Sequence, residues 1–167
     1  TVKGIDPYVT TPDPTGDFGL PALGQFSWEN AVPLPQGAYS GSTVIIGGDD
    51  DSSNSEGQVV LYMSDAADDD LEGGEVYVLR LAGATAPSTE ADLDFGISYD
   101  VEFAQVSDPA VTTKDEYETA SINANSLQFM RVEDVDYGKG SDAAGRVVYF
   151  AVTGRGPGRG TYNDWGT

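Results

Sequence analysis

Ser42-Thr43-Val44-Ile45-Ile46 runs into Gly47-Gly48 and Asp49-Asp50-Asp51, and is followed by Gln58-Val59-Val60-Leu61-Tyr62-Met63 and Glu75-Val76-Tyr77-Val78-Leu79-Arg80-Leu81. These three runs decide the fold class. Each is short, rich in Val, Ile, Leu and Tyr, and separated from the next by Gly, Asp and Ser. β-Branched and aromatic side chains suit a pleated surface. The runs are nearly continuous in apolar character rather than alternating, which predicts strands buried on both faces. Gly47-Gly48 reads as the end of its strand.

The same pattern extends outward. Upstream, Gln25–Val32 reads as a strand; downstream, Tyr99–Val106, Leu127–Val132 and Arg146–Val152 do too. Lys114–Asn123 reads as a helix, because Asp115, Glu116 and Glu118 crowd its first turns, where the macrodipole favours acids. Many short strands and one short helix predict an all-β protein. Sandwich, barrel and propeller all satisfy the pattern. A propeller blade takes about 40–50 residues, so 167 residues would make roughly three blades of short antiparallel strands. Such a fan would expose a long sheet edge, so a β-propeller-like chain of this length is expected to be one part of a larger molecule. Residues 1–24, with four prolines and four glycines, read as an extended arm, residues 25–154 as the propeller-like domain, and residues 155–167 as a Gly/Arg-rich tail loop.

Charge and missing residue types narrow the chemistry. The chain carries 28 Asp and Glu against 8 Lys and Arg, a net charge of −20. That repels phosphate backbones, so nucleic acid is not an expected partner. It suits divalent cations, basic protein surfaces and a salty medium. There is no cysteine and no histidine, which excludes disulfides, thiolate zinc sites and the Ser-His-Asp triad. Carboxylates and a hard cation such as calcium fit what remains. No run approaches the roughly 20 apolar residues of a membrane span. The chain begins at Thr1 and shows no basic and apolar leader; a removed targeting peptide or a missing upstream part would each account for this, and the expected location is extracytoplasmic: secreted, periplasmic or in a thylakoid lumen.

Four acidic features are candidate sites. Asp49-Asp50-Asp51 follows a strand and leads into Ser52–Gly57. Closely spaced oxygen ligands suit calcium, although the bidentate Glu of an EF-hand loop is missing; a solvated hairpin loop is the alternative. Asp65, Asp68, Asp69, Asp70, Glu72 and Glu75 lack any spacing rule and read as solvated surface. Arg131 and Glu133 are two apart and would share one face of a strand, either as an ion pair or as a phosphate clamp beside a metal ligand. Glu29 lies inside the apolar strand Phe26–Asn30, which demands exposure or a partner. Gly154–Gly160, with Arg155 and Arg159, resembles an RG-rich segment but reads as a flexible loop amid so much negative charge.

Several of these stretches, in order, resemble the PhoX-type alkaline phosphatases and their secreted bacterial relatives. Gly24-Gln25-Phe26-Ser27-Trp28-Glu29 is similar to that family's GRFSHE strand, Val44–Asp51 to its VYLTEDD strand, and Gly57–Tyr62 to its GGLYRF strand. Phe129-Met130-Arg131-Val132-Glu133-Asp134 resembles its F-x-R-P-E-D signature, and Gly145–Gly154 its G-x-VYFATTG strand. The likeness covers roughly residues 24–63 and 127–154. Trp28 stands where the family has His, and Val132 where it has Pro.

The resemblance implies a β-propeller with a metal site on its axis, holding calcium and, in some members, Fe3+. It implies that Glu29 and Glu133 are metal ligands, and that Arg131 and Glu133 serve catalysis, Arg131 by gripping the substrate phosphate. Phosphomonoester hydrolysis by a portion of such an enzyme is the function it implies. Two others compete: a non-catalytic propeller-like subunit docked on the remainder of its own chain or a larger complex, and a calcium-stabilised matrix domain.

Overall fold

The computed structural model describes residues 20–51, 57–64, 66, 71, 73–108, 110–140 and 144–154. Most of the N-terminal arm, the tail loop and most of the Asp65–Glu72 cluster lie outside these residues. Strands β1 (Trp28–Pro33), β2 (Val44–Asp49), β3 (Val59–Met63), β4 (Glu75–Leu81), β5 (Ser88–Thr89) and β6 (Val101–Gln105) are followed by helix α1 (Lys114–Asn123). Strands β7 (Leu127–Gln128), β8 (Val132–Tyr137) and β9 (Val148–Val152) complete the order. Five strands form one antiparallel sheet, β1-β2-β3-β4-β6. β8 and β9 make an antiparallel pair, and β5 and β7 a short parallel one. The architecture is thus mainly antiparallel β with one α-helix, and among the described residues each sheet is open.

The continuous apolar runs do lie in strands covered on both faces. Every residue of β2 is buried, and all of β3 except Met63. Because side chains alternate across a strand, Ile45, Val60, Tyr62, Val76 and Val78 share one face with Leu23 and Phe26 from the segment before β1, Val106 from the end of β6 and Tyr117 from α1. Val44, Ile46, Val59, Leu61 and Leu79 share the other with Leu127, Phe129, Val132 and Val135. Burying each such side chain contributes about 1.5–3 kcal/mol, so these two layers hold the sheet between α1 and the β8–β9 pair.

Gly47 and Gly48 do not end β2; they lie within it. A Cβ at Gly47 would overlap the Trp28 ring and the Asn30 carbonyl, and one at Gly48 would overlap the Val132 carbonyl. The glycines let β1 and β8 approach β2 at backbone distance. Leu127–Val132 is not one strand either. β7 stops at Gln128, Phe129 bridges to Gly57, and Arg131 adopts φ +66°. The acidic run starting at Val132 is itself a strand, β8, with Val132 and Val135 buried and Asp134 and Asp136 exposed.

α1 has the expected bounds. Thr113 caps it: its Oγ1 accepts from the Glu116 N–H, and Glu116 accepts from the Thr113 N–H at 2.9 Å and the Thr112 N–H at 2.8 Å. Those backbone donors hold the Glu116 carboxyl down at about 2.

Candidate functional site

Two β-bulges build the site. In the β1–β2 ladder Trp28 faces Asp49 and Asn30 faces Gly48, so Glu29 is the extra residue. In the β8–β9 ladder Val132 faces Val152 and Val135 faces Phe150, which leaves Glu133 and Asp134 against a single partner position. A bulge bends its strand and re-aims a side chain. The Asn30 side-chain amide donates to the Val135 carbonyl at 3.0 Å and ties the two bulged strands together.

Arg131 lies between them. Its Nε donates to Asp50 Oδ1 at 3.0 Å, and its second terminal nitrogen pairs with Glu133 Oε1. Thr153 Oγ1 donates to the same Glu133 oxygen at 2.8 Å. The Asp50 hydrogen bond and charge, then the charges of Glu133 and Glu29, raise the guanidinium pKa further. Arg131 and Glu133 therefore meet as the sequence suggests, but not by sharing a strand face. Arg131 precedes the strand in a left-handed conformation, which is costly for a non-glycine residue. Its backbone is held on both sides: its N–H donates to the Asp51 carbonyl at 3.1 Å, and its carbonyl accepts from Thr153 N–H at 3.2 Å.

The Asp49-Asp50-Asp51 run does not act as one cage. Extended backbone sends alternate side chains to opposite faces. Asp50 goes to the β8 side and Arg131. Asp51, on the α1 side, pairs with Lys114, which also reaches Glu118 at 3.3 Å. Asp49 is fully buried. Its Oδ1 accepts from Ser27 N–H at 2.6 Å, and its Oδ2 has no partner among the described residues. Burial pushes its pKa up to about 7, against the Ser27 hydrogen bond and the Lys114 charge, which favour ionisation. Burial also opposes the Lys114 charge, but Asp51, Glu118 and Asp49 outweigh it and raise that amine to about 12.

Lys114, Glu118 and Thr153 thus belong to the surroundings of the site, although the sequence did not single them out. One signal was present: Lys114 is the first residue of α1, where a cation opposes the helix dipole. A lysine there needs a local acid to hold it, and Asp51 is that acid.

Asp50 and Glu133 pair with the guanidinium and Glu29, exposed on its bulge, acts on it through charge alone, so three carboxylates stand against one cation and leave two negative charges uncompensated. All are oxygen donors, Asp50 and Glu133 half-buried and Glu29 exposed, and such chemistry suits calcium. Among the described residues no three acidic groups already stand at metal-holding spacing; Arg131 occupies the space between two of them. A separate recess of about 630 Å³, between the end of β6 and α1, is lined by Gln105, Ser107, Asp108, Asn123 and small apolar residues. It brings no Arg or Lys to bind an anion.

Fold and site together define an antiparallel β protein with an arginine–carboxylate centre mounted on two bulges. No protein-family model, curated protein or solved structure matches the chain.

Proposed function

We propose that Arg131, Glu133, Asp50 and Glu29 form the phosphate- and calcium-binding part of an extracytoplasmic, PhoX-like, metal-dependent phosphatase acting on phosphomonoesters, within a propeller-like molecule of which this chain is a portion. The observation carrying this is convergence: residues from three distant segments gather around one guanidinium with two surplus negative charges. Arg131 would turn from its carboxylates toward substrate and donate in-plane N–H groups to two phosphate oxygens. Glu133, held by Thr153, would take the cation together with Glu29 and Asp50. Calcium, when bound, would neutralise phosphate charge and polarise an attacking oxygen. Asp49 and Asp51, turned toward α1, would support the site from beneath. Fe3+ is not assigned to these residues: the resemblance implies a cysteine ligand for iron, which lies outside this span or is lost.

Two titrations and one assay test this: calcium, then inorganic phosphate with calcium present, then hydrolysis of p-nitrophenyl phosphate. Calcium-dependent phosphate binding that disappears in Arg131→Met supports the proposal. A folded protein that binds neither ion sinks it, whatever its hydrolytic rate.

One observation favours a second reading, a non-catalytic structural subunit. Arg131 is already gripped by Asp50 and Glu133, so it serves equally well as a clamp joining the end of β2 to β8. On that reading Arg131→Met lowers stability, and ion binding is absent in both proteins.

A further inference from the structure

We propose that the open edge of β6 is a strand-addition site for an extended partner segment in which apolar residues alternate with Lys or Arg. β6 ends the five-stranded sheet, with β4 on one side and no strand on the other among the described residues. Such an edge presents unpaired backbone groups, and native proteins blunt it or use it. Among the described residues no proline or bulge interrupts it. Val101 and Phe103 share one face of β6 and are 49% and 37% exposed, and Ile97 and Tyr99, in the segment leading into the strand, are 58% and 37% exposed. Isolated exposed apolar residues are ordinary, but a contiguous row marks an interaction surface.

This row continues a core. Val101 pairs with Leu81 and Phe103 with Leu79; Leu79 is buried in the layer beneath β8, and Leu81 and Leu93 pack at its margin. The apolar face of the sheet therefore runs past β4 onto β6, where its cover stops among the described residues. A strand added at this edge would place alternate apolar side chains beside Phe103 and Val101 and extend the layer.

Charge selects the occupant. Asp92, Asp94 and Asp100 flank the row in sequence and are exposed; Glu102 lies on the opposite face of β6, where it is already paired with Arg80 at 2.7 Å. With a net charge of −20, a second copy would bring acids against acids. A basic segment is complementary at both the edge and long range. This inference does not rest on the Arg131 centre, and either can fail without the other.

The probe is a fluorescent nonapeptide, Lys-Val-Lys-Phe-Lys-Val-Lys-Phe-Lys, measured by anisotropy. Its control has the same composition with all lysines grouped at one end. Binding of the alternating peptide at least about tenfold tighter than the control, a difference of about 1.4 kcal/mol, is expected. New amide hydrogen-exchange protection should appear in Val101–Gln105, and the exposed changes Val101→Thr and Phe103→Thr should each weaken binding. Equal affinity for both peptides would mean charge attraction alone and would overturn the proposal. Failure to bind, or binding without protection in β6, would do the same. So would light scattering that shows the chain dimerising and either threonine variant returning it to monomer, since the occupant would then be a second copy.

Discussion

Asp49→Asn gives the most direct reading of the buried acid beneath the site. Asp49 has an ordinary pKa of 3.8, and burial moves it to about 7 in the folded protein. The folded state thus holds this proton more tightly than the unfolded chain. Its contribution to stability is full below 3.8 and is lost as pH rises through about 7. A gap of about three pH units at about 1.36 kcal/mol each makes the ionised carboxylate cost about 4 kcal/mol of stability at pH 8 relative to pH 4. Asparagine keeps the shape and the acceptor for Ser27 N–H but cannot ionise. Its new NH2 group stands where Oδ2 has no described partner, a penalty that does not vary with pH. Urea unfolding followed by tryptophan fluorescence, with chelator present, would be run for both proteins from about pH 4 to about pH 8. The difference between the two curves cancels the other carboxylates. It should move by several kcal/mol in favour of Asp49→Asn as pH rises. A flat difference would refute the assignment of a buried, proton-holding carboxyl. Repeating the pH 8 point in excess calcium adds a second readout: calcium that stabilises the natural protein but not the variant makes Asp49 a ligand, and equal stabilisation of both makes it a buried acid only.

Gly48→Ala drives a methyl group into the Val132 carbonyl and should cost about 1–3 kcal/mol by forcing β8 off β2; an unchanged urea midpoint would mean that the strands are not in contact there. Thr113→Ala removes the cap of α1 and should cost about 1 kcal/mol by the same measurement. Glu116 has a depressed pKa, so its contribution is present above 4.5 and lost as pH falls toward about 2. Glu116→Gln should therefore match the natural protein in strong acid and be less stable at neutral pH, with helix loss followed by circular dichroism. Arg131→Gly relieves a left-handed backbone yet removes both ion pairs; if the side chain serves phosphate, binding is lost while stability changes little, whereas for a structural clamp stability falls and neither protein binds the ions.

The strand-rich fold, the burial of β2 and β3 on both faces, and α1 were legible because each rests on local pattern. Val, Ile and Tyr in unbroken short runs belong between two layers, and Asp115, Glu116 and Glu118 crowd the first turns where the macrodipole favours acids; the Thr113–Glu116 capping box that closes this end came with the structure. Whether the open sheets belong to a propeller is a matter of how such sheets pack in space, which short runs do not encode.

For the site, the sequence supplied residue types and the tertiary structure decided their partners. Glu29 inside an apolar strand, and Arg131 beside Glu133, stood out as charges needing company. The meeting of Arg131 with Asp50 and Glu133, and the placing of Glu29 on the neighbouring bulge, depend on two bulges and a left-handed residue, which arise from pairing between distant strands rather than from neighbours in sequence. The three successive aspartates look like one cluster on paper. Extended backbone divides them, giving Asp50 to Arg131, Asp51 to Lys114 and Asp49 to the interior. Gly47-Gly48 shows the same division: the sequence marks a place without side chains, and only the Trp28 ring over one face and β8 over the other say that the reason is contact rather than a turn.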